Sequence, residues 1–155
     1  MDIIAILFTW LHLLSVVIWV GGIIFILYIA IPSSRQALGP EAGKLMGEIS
    51  KKFTPVANYS ILLIVITGVV LTWIKGYFSG SASFEGAKSI TLYLKYLLAL
   101  IMIGIHFYRG LVLAPKITMA EPMQKPTLQK QSLGLVKANL WIGVIILLLS
   151  VAMRF

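Results

Sequence analysis

The chain contains no cysteine, which excludes a disulfide framework, a thiolate metal site and a thiol redox motif. Any metal must therefore be held by histidine, methionine, carboxylate or a prosthetic group. Charge is scarce too: 12% of the 155 residues are charged and 59% are hydrophobic, against about 25% charged in a soluble domain. An ordinary soluble globule is excluded. There is no glycine-rich phosphate loop after a strand, no serine nucleophile elbow and no metal-hydrolase helix motif, so nothing points to soluble-enzyme chemistry. No internal repeat is evident in the residues.

What is present is a set of four long apolar stretches, each close to the ~20 residues a helix needs to cross a ~30 Å hydrocarbon core. The expected architecture is an all-α membrane protein, a four-transmembrane-helix antiparallel bundle forming a single domain over residues 1–155. Its spans are predicted at about residues 3–31, 54–74, 89–114 and 133–152. Pro32, in the sequence Pro-Ser-Ser, is expected to stop the first span. Pro55 is expected in the first turn of the second, where it costs no hydrogen bond, and Pro115 is expected to close the third. The second span ends at Lys75-Gly76, and a Gly- and Ser-rich connection follows over residues 77–88. The first apolar run is too long for a signal-peptide core, and Asp2 stands where a basic leader would begin. It is therefore expected to remain as a membrane helix.

A net charge of +8 would suggest nucleic acid in a soluble protein, but here the basic residues cluster between spans and read as topology signals. Arg35, Lys44, Lys51 and Lys52 follow the first span, while Lys116, Lys125 and Lys130 follow the third. The positive-inside rule makes those two loops cytoplasmic. Both termini and the middle loop are then outside a multi-pass protein of the cell membrane, with the lipid bilayer as its principal partner and no nucleic acid. Trp10, Trp73 and Tyr77 fall near the expected interfaces and are explained by an aromatic belt.

Ionisable residues inside spans are functional candidates, because hydrocarbon offers them no partners and they turn toward the protein interior. On the third span Lys95, Ala99, Met102, His106 and Arg109 recur at four- and three-residue spacing and share one helical face. On the first, His12, Ser15, Trp19 and Gly22 form a similar stripe, with Gly21 and Gly22 small enough for close helix approach. Asn139, Gly143, Ile146 and Ser150 do the same on the fourth. The second contributes Asn58, Ser60, Thr67 and Gly68 less regularly. Facing polar stripes in a helical bundle are where cofactor sites are built.

His12 and His106 are the only histidines, and a bundle-facing histidine suits axial ligation of haem iron. A neutral histidine bonded to a neighbouring hydroxyl or carbonyl is the plain alternative. The leading expectation is b-type haem (heme b) and cytochrome b-like electron transfer, a membrane oxidoreductase being one form of it. His12 and His106 would be the metal ligands, Lys95 and Arg109 would neutralise propionates, and Trp19, Gly21 and Gly22 would shape the packing around the macrocycle. At ~1.5 Å per residue His12 lies roughly 12 Å below the outer start of its span and His106 roughly 25 Å below its own. One iron shared by both would then need strong tilt. Lys95, roughly 9 Å deep, also reads as a snorkelling lysine. The alternative is copper handling, with Met102 one turn from His106 as soft and imidazole donors, although methionine in an apolar span is commonly packing material. A third reading is a non-catalytic subunit of a larger membrane complex. A redox partner or quinone, and a homo-oligomer, accompany the haem reading.

Leu11-His12-Leu13-Leu14, then Trp19-Val20-Gly21-Gly22, then Lys52-Phe53 leading to Thr67-Gly68 resemble the CopD-like (copper-resistance D) membrane domain. Lys95 in Leu94-Lys95-Tyr96-Leu97, with Pro115 ending the span, is similar both to that domain and to the HemJ-type membrane haem proteins. The CopD resemblance implies copper handling in the cell envelope. The HemJ resemblance implies b-type haem, with His12 and Lys95 in the positions of that group's functional histidine and lysine.

Overall fold

The computed structural model describes residues 3–74, 76 and 87–153. Asp2, Lys75, Tyr77 and the Gly- and Ser-rich connection up to residue 86 lie outside the described residues. Among those described, the chain is helical apart from short turns. Three helical stretches are long and apolar enough to cross a membrane: residues 3–74, which turn back at Gly39, residues 89–119 and residues 125–152. The molecule is a multi-pass, all-helical membrane protein. The chain divides into two units, residues 1–84 and 85–155.

In the first unit α1 (Ile3–Phe25) is continued by a five-residue π-helical turn, Ile26–Ala30, and then by α2 (Ile31–Leu38). Within α1 the hydroxyls of Thr9 and Ser15 donate to the carbonyls of Ala5 and Leu11, which satisfies them without solvent. Pro32 does not stop this helix. In a regular α-helix its ring would collide with the carbonyl four residues back. Here the Ile31 N–H instead bonds the Ile26 carbonyl, five residues back, and the wider turn admits the ring. The break comes at Gly39, whose φ of +52° and ψ of −117° suit a residue without Cβ. A short 3₁₀ turn, Gly39–Glu41, leads into α3 (Ala42–Ile74).

α3 has 33 residues and is about 50 Å long at 1.5 Å per residue. It therefore takes in most of the basic segment 33–52, which the sequence reads as a loop or a short amphipathic helix, and Pro55 lies inside the helix rather than in its first turn. The extension has an inward face of its own: Ala42 is buried, and Met46, Ile49, Ser50 and Phe53 are half-buried at helical spacing. That face keeps the segment helical ahead of the proline. α1 and α3 run antiparallel and in extensive contact, His12 meeting Thr67 near one end and Gly22 meeting Phe53 further along. Ser15, Trp19 and Ile23 form the buried line of α1, and Ala57, Ser60 and Thr67 are buried on α3. Trp10 and Trp73 are exposed, as residues that meet lipid or its headgroups should be.

The second unit has the same build. α4 (Ala87–Tyr108) runs into a five-residue π-helical turn, Arg109–Leu113, followed by α5 (Ala114–Met119), a turn, and α6 (Lys125–Ala152). Pro115 no more closes its span than Pro32 does: the Ala114 N–H bonds the Arg109 carbonyl and the chain stays helical to Met119. The fourth stretch begins at Lys125, eight residues before the expected start, because Pro126 occupies the first turn, where no N–H is needed. α4 packs on α6, with Met102 buried on one and Asn139, Leu140 and Gly143 on the other.

Each unit is thus an apolar helix, a π turn, a short helix with proline second, a turn, and a long return helix. The repeat lies in this backbone arrangement and not in the residue types. Aligned on Pro32 and Pro115, Trp19 corresponds to Met102, Ala30 to Leu113 and His12 to Lys95. The first two pairs are buried in both units.

Candidate functional site

In the first unit the histidine singled out by the sequence is His12. It is half-buried on α1, and its Nδ1 lies 2.8 Å from Oγ1 of Thr67 on α3. Thr67 is 1% exposed. Its hydroxyl donates to the Leu63 carbonyl one turn back, and the Ile64 carbonyl lies 3.3 Å away. The imidazole rests along the backbone of Gly68, where a Cβ would stand 3.5 Å from its Cε1. Below it on the same stripe, Ser15 and Trp19 are buried. Gly22 carries the ring of Phe53 so closely that a Cβ would lie 2.1 Å from Cζ. Among the described residues nothing lies within 4 Å of the corresponding position at Gly21, which is exposed. Among those residues, close approach uses Gly22 and not Gly21.

In the second unit Met102 is 2% exposed, and Lys95, Ala99, His106 and Arg109 along the same face are half-buried. The Nδ2 of Asn139 on α6 donates to the Met102 carbonyl at 3.1 Å. The Oδ1 of Asn139 is buried and has no hydrogen-bond partner among the described residues. Met102 and His106, four residues apart, are neighbours on the helix surface, with Cβ atoms about 5–6 Å apart by helix geometry. His106 also meets the ring of Phe107 edge-on, with centroids 5.4 Å apart. Arg109 opens the π turn that precedes Pro115.

The stripes legible in the sequence are therefore the inward lines of α1 and α4. His12 and Trp19 belong to the first unit, and Lys95, His106 and Arg109 to the second. The sequence marks Thr67 as an irregular polar residue of its span and as part of the Thr67-Gly68 pair in the family resemblance, without linking it to His12, which it contacts across the two helices. Its signal was a hydroxyl in an apolar span, directly before a glycine. Among the described residues no group of three or more His, Cys, Asp or Glu side chains gathers into a metal-binding cluster. Sulfur and imidazole donors in small number are what this scaffold offers, a set suited to a soft cation.

These features define an all-helical, multi-pass membrane protein with intramembrane imidazole and thioether donors. Residues 47–153 match the family of copper resistance protein D, and the chain belongs to that family. The match covers α3 from Gly47 onward together with α4, α5 and α6, and α1 with His12 precedes it. No curated protein and no solved structure matches the chain.

Proposed function

We propose that this protein binds and passes copper, as Cu(I), within the membrane, the ion being its substrate. The observation that carries this reading is membership of the copper resistance protein D family. Two features of the chain support it. Met102 and His106 present thioether and imidazole donors one turn apart on α4, inside the matched segment, and such donors suit Cu(I). His12 adds a second imidazole, fixed by Thr67. In this reading α1, α3, α4 and α6 are four crossings of one domain, with both termini outside as the distribution of Lys and Arg implies. Family membership favours copper over the b-type haem suggested by the two histidines.

Proteoliposomes loaded with a Cu(I)-specific fluorescent chelator test the proposal. The wild-type chain should accelerate copper entry under reducing conditions, and Met102→Leu with His106→Gln should abolish most of the acceleration. Entry at the protein-free rate in wild type sinks the copper reading. A Soret band with reducible α and β bands in the purified protein would return the function to haem.

A further inference from the structure

The contact between His12 and Thr67 determines which nitrogen of His12 bears the lone pair. A threonine hydroxyl has one hydrogen and two acceptor lone pairs. The Thr67 oxygen lies in short contact with the Leu63 carbonyl, and two oxygens at that separation repel unless a hydrogen sits between them. The single hydroxyl hydrogen is therefore directed at Leu63. Toward His12, 2.8 Å away, Thr67 has only a lone pair to offer, so the hydrogen in that contact belongs to Nδ1. A neutral imidazole that carries its hydrogen on Nδ1 has its lone pair on Nε2. The acceptor is also held in place: Thr67 is 1% exposed and its oxygen is tied to its own helix.

We propose that Thr67 is a positioning residue that holds His12 in the Nδ1–H tautomer, which puts the lone pair, and with it the capacity to ligate a soft monovalent cation, on Nε2. Free imidazole side chains in water favour the opposite tautomer, so the arrangement has to be imposed. Metal-binding histidines in general donate the N–H of the non-ligating nitrogen to a fixed acceptor, which orients the ring and raises its basicity. Thr67 supplies that acceptor from α3, and the backbone carbonyl of Leu63 in turn orients Thr67. The identity of the cation rests on the copper reading above, whereas the tautomer does not.

The test uses the full chain in lipid bilayers without metal, with ¹⁵N-labelled histidine. Nitrogen-detected NMR separates protonated from lone-pair-bearing ring nitrogens, and the resonances lost in His12→Gln assign the ring. Wild-type protein should show His12 protonated at Nδ1 and bare at Nε2. Thr67→Val, which keeps the shape and removes the acceptor, should move the hydrogen to Nε2, and Thr67→Ser should restore the wild-type pattern. Should the valine variant fail to assemble, Thr67→Ala serves the same purpose. Wild-type His12 protonated at Nε2, or at both nitrogens, overturns the proposal, as does an Nδ1–H pattern that persists without the Thr67 hydroxyl. A second arm titrates Ag(I), a redox-inert stand-in for Cu(I). Affinity should fall roughly 10–100-fold in Thr67→Val, the usual range for loss of such a supporting partner, and recover in Thr67→Ser. If His12→Gln binds Ag(I) as wild type does while the tautomer is as stated, the assignment of His12 to copper fails and the Thr67 lock stands.

Discussion

The two units share a backbone plan but join their helices by different means. The first uses a side chain on each helix, the imidazole of His12 and the hydroxyl of Thr67, and seats an aromatic ring on a bare glycine. The second uses one side chain and a backbone carbonyl, Asn139 to Met102. A backbone acceptor is present whatever residue stands there, so substitution at position 102 spares it. Of these two hydrogen bonds, the first can be removed by substitution on either helix, the second by substitution on α6. In the copper reading proposed above, the fastening residue of the first unit, His12, is itself a candidate ligand, whereas Met102 and His106, the candidates of the second, lie beside its fastening.

The largest effect should come from Gly22. Gly22→Ala places a methyl inside the ring of Phe53, an overpacking expected to cost about 1–3 kcal/mol. Thermal unfolding in detergent should show it, with Gly21→Ala unchanged. Equal losses at the two glycines would remove the ring-on-glycine contact from the comparison. Next comes the turn between helices. Gly39→Ala forces a side chain into a positive-φ conformation and should cost about 1–3 kcal/mol. In the second unit Ala120 is extended, with φ of −69° and ψ of 148°, so Ala120→Ser should melt with the wild type.

Smaller effects separate the two fastenings. Hydrogen bonds between membrane helices average about 0.6 kcal/mol and reach about 1.7, so Thr67→Val should lower stability within that range. Asn139→Leu should cost less than Thr67→Val, because it removes, together with the bond, a buried Oδ1 that has no partner among the described residues. The Met102 carbonyl left behind still belongs to the ladder of its own helix, whereas Thr67→Val leaves the imidazole nitrogen without that partner. A melting temperature for Asn139→Leu well below that of Thr67→Val would reverse the ranking. The smallest effect is expected at Gly68, where a methyl meets His12 at ordinary contact distance. Gly68→Ala should unfold within about 0.5 kcal/mol of wild type, as expected of a substitution that meets no special feature.

The apolar stretches and their inward stripes could be read from residues alone because they depend on local periodicity. Ser15, Trp19, Met102 and Asn139 are buried where the 3- and 4-residue spacing puts them. The fate of the prolines could not be read that way. Whether Pro32 or Pro115 ends a helix depends on which carbonyl each preceding N–H reaches, and residue type does not encode that. Pro55 was misplaced for a related reason: an inward face on Ala42, Met46 and Phe53 starts α3 earlier than hydropathy suggests. The pairing of His12 with Thr67 requires the register between two antiparallel helices, a quantity set by packing along their whole length. The shared plan of the units was hidden because the aligned positions hold different side chains, His12 against Lys95 and Trp19 against Met102.

A π turn is, in effect, a single surplus residue in a helix. Because each α-helical residue advances the chain by about 100° around the axis, Ile26–Ala30 and Arg109–Leu113 turn everything beyond them away from the face a straight helix would present. α2 and α5, with Arg35 and Lys116, are therefore aimed independently of the stripes on α1 and α4. Deleting one residue from either turn would swing its basic side chain to another azimuth and drive the proline against the carbonyl it now clears. Spacing along each span is thus meaningful only up to its π turn, and a new angular origin begins there.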